Sequence, residues 1–329
     1  MANNTFFNQA NPADQTQGRV LGVIEYQGAQ KIVLEQDNNF NQAVVKVIEQ
    51  AKASPLSQFI FPGSSKLPQN REKNEVAPSI HYELAAENGA ILDCGSDNLV
   101  FSKKPDRTWP IASITKLFTA FTFLDYNPGW ETIYQIKPED KREGGKIYLF
   151  TGDQVKVKDL FYFSLVGSDN TATAALVSAT GLSEAEFVEK INEKIKQLGL
   201  KKTKIVDPIG LRDGDVSTAR EVAEFARIAL ANEEIKQASL TKKYEFTTVQ
   251  GRKKAIASTN QLLSSFPEAG INILGGKTGF VNSAGYCFVS QFADQTGRSI
   301  VTVILGADSE NGRFDLTKKL VDLYYSAKP

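Results

Sequence analysis

Pro110-Ile111-Ala112-Ser113-Ile114-Thr115-Lys116 runs directly into Leu117-Phe118-Thr119-Ala120-Phe121-Thr122-Phe123-Leu124. After Lys116 nearly every position is apolar or small, so the predicted helix lies inside a core rather than on a surface. Asp125 and Asn127-Pro128-Gly129 stop it too soon for a bilayer span. Pro110, with its fixed φ, is expected at the helix entry. Ser113 and Lys116 are three apart, so they share a helical face and can touch. A lysine carried into such a core is poorly solvated, which favours its neutral, basic form. A hydroxyl beside a neutral amine, with helix N-terminal N–H groups close by, outlines an activated nucleophile. Taken alone, the stretch is more simply a helix cap with a snorkelling lysine. The rest of the chain decides between the two.

The chain has 329 residues, 41% of them hydrophobic, enough for a large core and one or two domains. It carries 38 basic and 38 acidic side chains and no basic stripe, which argues against nucleic acid or an anionic membrane as the main partner. Two cysteines, Cys94 and Cys287, make neither a disulfide framework nor a zinc site. The single histidine, His81, lies in a polar lead-in far from any G-x-S-x-G turn. A Ser-His-Asp triad is therefore disfavoured, and a working serine would take a lysine as its base. Met1-Ala2-Asn3-Asn4-Thr5-Phe6-Phe7 has no basic and apolar signal-peptide pattern, and no segment is long and apolar enough to cross a membrane. A cytoplasmic protein and a chain shorn of its export segment fit equally.

Residues 1–78 are rich in Asn and Gln and read as an N-terminal appendage and linker of unknown function. A hairpin is expected from Arg19–Tyr26 and Lys31–Leu34 around Gln27-Gly28, then a helix through Phe40 to Ile48 and a polar linker over Lys66–Val76. From residue 79 a single catalytic unit is expected to run to 329. Ala90–Asp93 and Leu99–Phe101 are strand-like. Asp159 is placed as the cap of a helix ending at Gly167. Ser183-x-x-Glu186 is a capping box ahead of a Phe187, Ile191, Ile195, Leu198 stripe, and Thr218-x-x-Glu221 opens a further helix. Three strands follow, around Ile271–Phe280, Ala284–Ser290 and Ser299–Gly306, as an antiparallel meander. A helix over Phe314–Tyr325 closes the chain. The predicted class is α+β, an antiparallel sheet completed from both ends of the unit, flanked by helices, with a helical lobe inserted over about 113–255.

Three short motifs occur in order: Ser113-x-x-Lys116, Ser168-Asp169-Asn170 and Lys277-Thr278-Gly279. Singly they read as caps or a hairpin lead-in. Ser-x-x-Lys recurs at Ser239/Lys242, and Ser-x-Asn at Ser96/Asn98, Ser258/Asn260 and Ser309/Asn311. Context rejects Ser239, which precedes Lys242-Lys243 and a strand-like Tyr244-Glu245-Phe246 rather than a buried helix. The Ser113 set leaves 55 and then 109 positions between motifs, room for a helical lobe facing a sheet edge.

This set, with its flanks from Ala90 onward, resembles the penicillin-recognising serine acyltransferases, and most closely the low-molecular-mass penicillin-binding proteins, the D-alanyl-D-alanine carboxypeptidases. The flanks are Ile191-Asn192 to Leu200, Asp207-Pro208-Ile209-Gly210-Leu211, Ser217-Thr218-Ala219, Thr259-Asn260-Gln261-Leu262-Leu263 and Phe280-x-x-Ser283-Ala284-Gly285-Tyr286-Cys287. The resemblance implies a β-lactamase/transpeptidase-like fold and a serine D,D-peptidase that is penicillin-sensitive and needs no cofactor or metal. Its partners would be peptidoglycan stem peptides ending in D-Ala-D-Ala and β-lactam inhibitors, on the extracytoplasmic side. Ser113 would form the acyl-enzyme and Lys116 take its proton, with Lys277 helping to hold Lys116 neutral. Ser168 would relay a proton to the leaving amine and Asn170 bind the substrate amide. Lys277 and Thr278 would grip the terminal carboxylate. Gly279 would let substrate lie along the strand edge, and the N–H groups of Ser113 and Phe280 would form the oxyanion hole. The second motif departs toward the class A β-lactamases, yet their Glu-x-x-Leu-Asn segment is missing. A β-lactamase is thus the rival enzyme, and a catalytically silent wall-binding domain of the same fold is the rival of another class. The β-rich domain and amphipathic anchor that many carboxypeptidases carry after the catalytic unit have no counterpart before Pro329.

Overall fold

Largely apolar segments at both ends of the larger unit build one sheet in the computed structural model, which describes residues 82–326 apart from 143 and 145, plus the backbone of three earlier strands. The chain divides into two compact units, Met1–Asn74 and Glu75–Pro329. In the first, β1 (Asn4–Thr5), β2 (Leu21–Tyr26) and β3 (Ala29–Glu35) form an antiparallel sheet in that order. β2 and β3 pair antiparallel, with Tyr26 opposite Ala29, as a hairpin requires; the expected turn at Gln27-Gly28 lies outside the described residues. The helix expected through Phe40 to Ile48, the linker over Lys66–Val76 and His81 lie outside the described residues.

The second unit holds β4 (Ala86–Asp93), β5 (Leu99–Lys103), β6 (Trp109–Pro110), β7 (Ile133–Gln135), β8 (Gln154–Lys156) and β9 (Val216–Ser217). It continues with β10 (Lys243–Thr247), β11 (Lys253–Ala257), β12 (Ile271–Val281), β13 (Gly285–Asp294) and β14 (Ser299–Ala307). Its helices are α1 (Thr115–Phe123), α2 (Val157–Val166), α3 (Asn170–Ala179), α4 (Glu184–Gln197), α5 (Ala219–Ala229), α6 (Glu233–Leu240) and α7 (Glu310–Ser326). The main sheet is antiparallel with order β12-β13-β14-β4-β5, so the last three strands meet the first two and β12 is left at an edge.

Both faces of that sheet are covered. Val301 and Val303 of β14 face the lobe, whereas Ile300 and Ile304 share a second core with Phe288, Phe314 and Leu320. This double burial explains why β14 is apolar along its length instead of alternating with polar residues. Helices α1 to α6 all fall between β5 and β12 in the chain, and α1 runs through the centre of this lobe. Phe118 of α1 stacks on Phe225 of α5 with ring centroids 3.7 Å apart. Phe266 packs on Phe292, Trp130 on Phe161, and Trp109 donates Nε1–H to the Ala284 carbonyl. Cys287 is buried in β13, Cys94 is partly exposed, and both thiols are free.

Three local expectations change. Pro110 does not start a helix: it pairs with Val216 in β6–β9, and the next amide, that of Ile111, donates to the Asp215 carbonyl. Asp159 is not the cap of α2; Lys156 holds that position, and Asp159 accepts its N–H from the third position of the helix. The closing helix begins at Glu310 rather than Phe314, which brings Arg313 onto it. Ser183 and Glu186 do form the reciprocal capping box, and Thr218 caps α5.

Candidate active site

Ser113 sits in a 3-10 turn, Ala112–Ile114, just ahead of α1. Ala112 takes a left-handed φ of +48°, unfavourable for alanine by roughly 1–2 kcal/mol. Two glycines hold this turn in place. A Cβ on Gly210, itself at φ +87°, would stand 2.2 Å from the Ala112 oxygen. A Cβ on Gly279 would stand 2.8 Å from the Ile111 oxygen and 3.2 Å from the Ser113 nitrogen. Glycine is needed at 279 because strand β12 presses its backbone on the Ser113 turn.

Lys116, one turn on, is fully buried. Its Nζ lies 2.9 Å from Ser113 Oγ, 2.9 Å from Asn170 Oδ1 and 2.7 Å from the Ile209 carbonyl. A charged ammonium can donate to all three. A neutral amine has two N–H groups and one lone pair, and Ser113 is the only one of the three partners with a proton to offer. Burial lowers the Lys116 pKa to about 7, against the pull of Asp207, Asp169 and Asp215. That fall from 10.5 is worth roughly 5 kcal/mol in favour of the neutral form. Burial is thus the main reason that Lys116 favours its neutral, basic form, as the sequence predicts.

Asp169 caps α3, accepting from the Ala172 N–H at 2.6 Å, and burial pushes its pKa up to about 6. The bland reading of the second motif as a cap therefore holds for Asp169. Its neighbours do something else. Ser168, at φ +57°, accepts a 2.8 Å hydrogen bond from Lys277 Nζ, while Asn170 meets Lys116 and donates Nδ2–H to the Gly144 carbonyl. One short turn thus touches both lysines.

Lys277 is almost wholly buried, and its Nζ also donates to the Thr278 carbonyl at 2.8 Å. Its pKa lies well below the ordinary value, through burial first and then the nearby Lys116 and Arg313 cations. Thr278 Oγ1 is 2.6 Å from Thr259 Oγ1. Phe280 is 46% exposed and stacks on Tyr286, centroids 4.4 Å apart. The rival serines have other partners: Ser239 donates to the Lys236 carbonyl within α6, and Ser258 accepts from the Asn260 N–H in a turn.

The sequence reading missed several neighbours. Arg313, buried, donates Nη1–H to the Gly279 carbonyl at 3.2 Å; nothing local marks it, since it reaches β12 from the last helix. Thr259 and the Ile209 carbonyl lie in stretches singled out above, but only their partners reveal what they do.

A family model described as D-alanyl-D-alanine carboxypeptidase matches residues 72–309. The D-alanyl-D-alanine endopeptidase of Pseudomonas aeruginosa is 31% identical over 216 residues, covering 64% of this chain and 68% of that protein. The D-alanyl-D-alanine carboxypeptidase DacF of Bacillus subtilis is 28% identical over 257 residues, covering 74% of this chain and 64% of that one. Among solved structures, penicillin-binding protein D2 from Listeria monocytogenes in its cefotaxime-bound form superposes with a TM-score of 0.65 at 28% identity, over 75% of this chain and 100% of that one. The family match begins ahead of β4, ends at the threshold of α7 and takes in every pocket residue but Arg313: the chain belongs to the D-alanyl-D-alanine carboxypeptidase family of serine peptidases.

Proposed function

We propose that the chain is a penicillin-sensitive serine D,D-peptidase that acts on peptidoglycan stem peptides ending in D-Ala-D-Ala, on the extracytoplasmic side of the cell. The observation that carries this reading is the fully buried Lys116 amine at 2.9 Å from Ser113 Oγ. Ser113 Oγ attacks the carbonyl of the penultimate D-alanine and its proton passes to the Lys116 lone pair. The terminal D-alanine leaves with a proton delivered through Ser168, and water then opens the Ser113 ester. The N–H groups of Ser113 and Phe280 receive the oxyanion. Substrate adds as a strand to the free edge of β12.

The terminal carboxylate is gripped by Lys277, Thr278 and the Thr259 hydroxyl, with the buried Arg313 behind Gly279 adding positive charge. The arriving anion restores the ammonium form of Lys277, which burial and two neighbouring cations otherwise disfavour. Asn170 serves twice, orienting Lys116 through Oδ1 and binding the substrate amide. Among the described residues no helix is long and apolar enough to cross a membrane.

Incubation with a fluorescent penicillin, followed by peptide mass spectrometry, tests the acyl-enzyme. A lasting adduct on Ser113 that Ser113→Ala abolishes is expected. No adduct on the folded chain would refute the reading, and rapid turnover of the drug would make it a β-lactamase. Release of D-alanine from a pentapeptide, assayed beside cleavage of a cross-linked dimer, then separates carboxypeptidase from endopeptidase action.

A further inference from the structure

Directly behind the Ser113–Lys116 pair lie two buried carboxylates that the chemistry above does not use. Asp207 is 4% exposed and Asp215 not at all. Asp215 Oδ1 accepts the N–H groups of Val206 and Asp207 at 2.7 and 3.0 Å, and its Oδ2 accepts the Thr115 hydroxyl at 3.1 Å. Asp207 in turn accepts the N–H groups of Ile209 and Leu211 at 3.0 and 2.7 Å. The two side chains thereby shape the loop over 206–211, which supplies the Ile209 carbonyl to Lys116 and packs Gly210 on Ala112. Thr115 stands next to Lys116 in the chain, so Asp215 ties the loop to the helix at the point where the base leaves it. A second tie runs from Thr119 Oγ1 to the Pro208 carbonyl.

We propose that Asp215 is a positioning residue for the base: it locks the 206–211 loop to α1 through Thr115, and its negative charge sets the pH at which Lys116 becomes a free amine. This rests on the acyl-enzyme reading above. The charged groups facing Lys116 are Asp207, Asp169 and Asp215, which favour its ammonium form, and Lys277, which opposes it. Facing Asp215 are Asp207 and Lys116. Burial and the adjacent Asp207 push the Asp215 pKa up to about 7, so its charge changes over the range in which Lys116 titrates.

Asparagine separates the two effects. In Asp215→Asn the side-chain carbonyl still accepts both loop N–H groups and the amide donates to the Thr115 oxygen, while the charge is gone. Second-order acylation by a fluorescent penicillin, followed from about pH 5 to 9, is the readout. Removing the carboxylate lowers the Lys116 pKa, so the acid limb is expected to move down by roughly 0.5–1 pH unit, less than a fully ionised neighbour would give because the Asp215 carboxyl is itself only partly charged there. The high-pH plateau should stay within about threefold of the parent. Thr115→Val, which cuts the tie but keeps both carboxylates, should lower that plateau by about tenfold or more, the loss of a positioned group.

A merely structural part for Asp215 would depress the rate equally at every pH and leave the limb unmoved. An unmoved limb in folded Asp215→Asn, or an unchanged plateau in Thr115→Val, overturns the proposal, and Thr115→Val still tests it if the first variant does not fold. Failure of the parent chain to acylate at all would instead sink the function it rests on.

Discussion

Lys277 Nζ donates to Ser168 Oγ at 2.8 Å across 109 positions of chain. This contact joins the edge strand of the sheet to the turn before α3, closing one wall of the pocket. Two residues past Ser168, Asn170 Oδ1 accepts from Lys116, so both lysines are pinned by a single tripeptide.

Loss of that contact should be felt in substrate recognition more than in folding. Lys277→Ala is expected to lower kcat/KM for a D-Ala-D-Ala peptide by about 10- to 100-fold, the value of one or two charge-assisted hydrogen bonds. Amidating the substrate's terminal carboxylate should cost the parent enzyme a similar factor and cost the variant much less. Equal sensitivity of both to amidation would rule out carboxylate binding by Lys277.

On the proposed mechanism, the Lys116 pKa near 7 should give acylation an acid limb. The base works when neutral, so the rate should climb as pH rises through about 7 and level off above it. Lys116→Arg cannot become neutral and should lose roughly 100- to 10,000-fold at all pH values. A stopped-flow pH profile of penicillin binding checks both statements.

At Gly279 even one methyl group meets backbone on the far side. Gly279→Ala is expected to push β12 off the Ser113 turn, lowering acylation at least about tenfold and stability by about 1–3 kcal/mol. Thermal denaturation beside penicillin labelling reads the two effects. Retention of full labelling would mean that the turn yields without loss.

Phe225 tests the lobe apart from the chemistry. It is buried, stacks on Phe118 and meets Phe121 edge-on. Phe225→Ala should cost about 3–5 kcal/mol of stability in urea unfolding, through the cavity left against α1. Because α1 carries Lys116, the variant should also acylate more slowly when assayed well below its melting temperature.

Much of this was legible in the chain before any coordinates. Period and punctuation placed the meander after Ile271, the capping box at Ser183 and Glu186, and the buried helix after Lys116, because each depends on residues only a few positions apart. The helix start at Pro110 misled for a long-range reason: a proline suits a first helical turn, but Val216 offered it a strand partner. Arg313 escaped notice because a single arginine near a helix start has no local signature.

The order of apolar and polar residues, by itself, determined which segments are strand or helix; the three short motifs, through their resemblance to a known family, marked which serines, amide and lysines were worth bringing together. Neither determined more, since side chains 55 or 109 positions apart interact only once a core has been closed between them. Tertiary structure alone decided that Lys116 is stripped of water, that its titration falls to about 7 and that three carboxylates surround it. Desolvation and Coulomb energies depend on what lies within a few ångströms in space, and sequence distance carries almost none of that information.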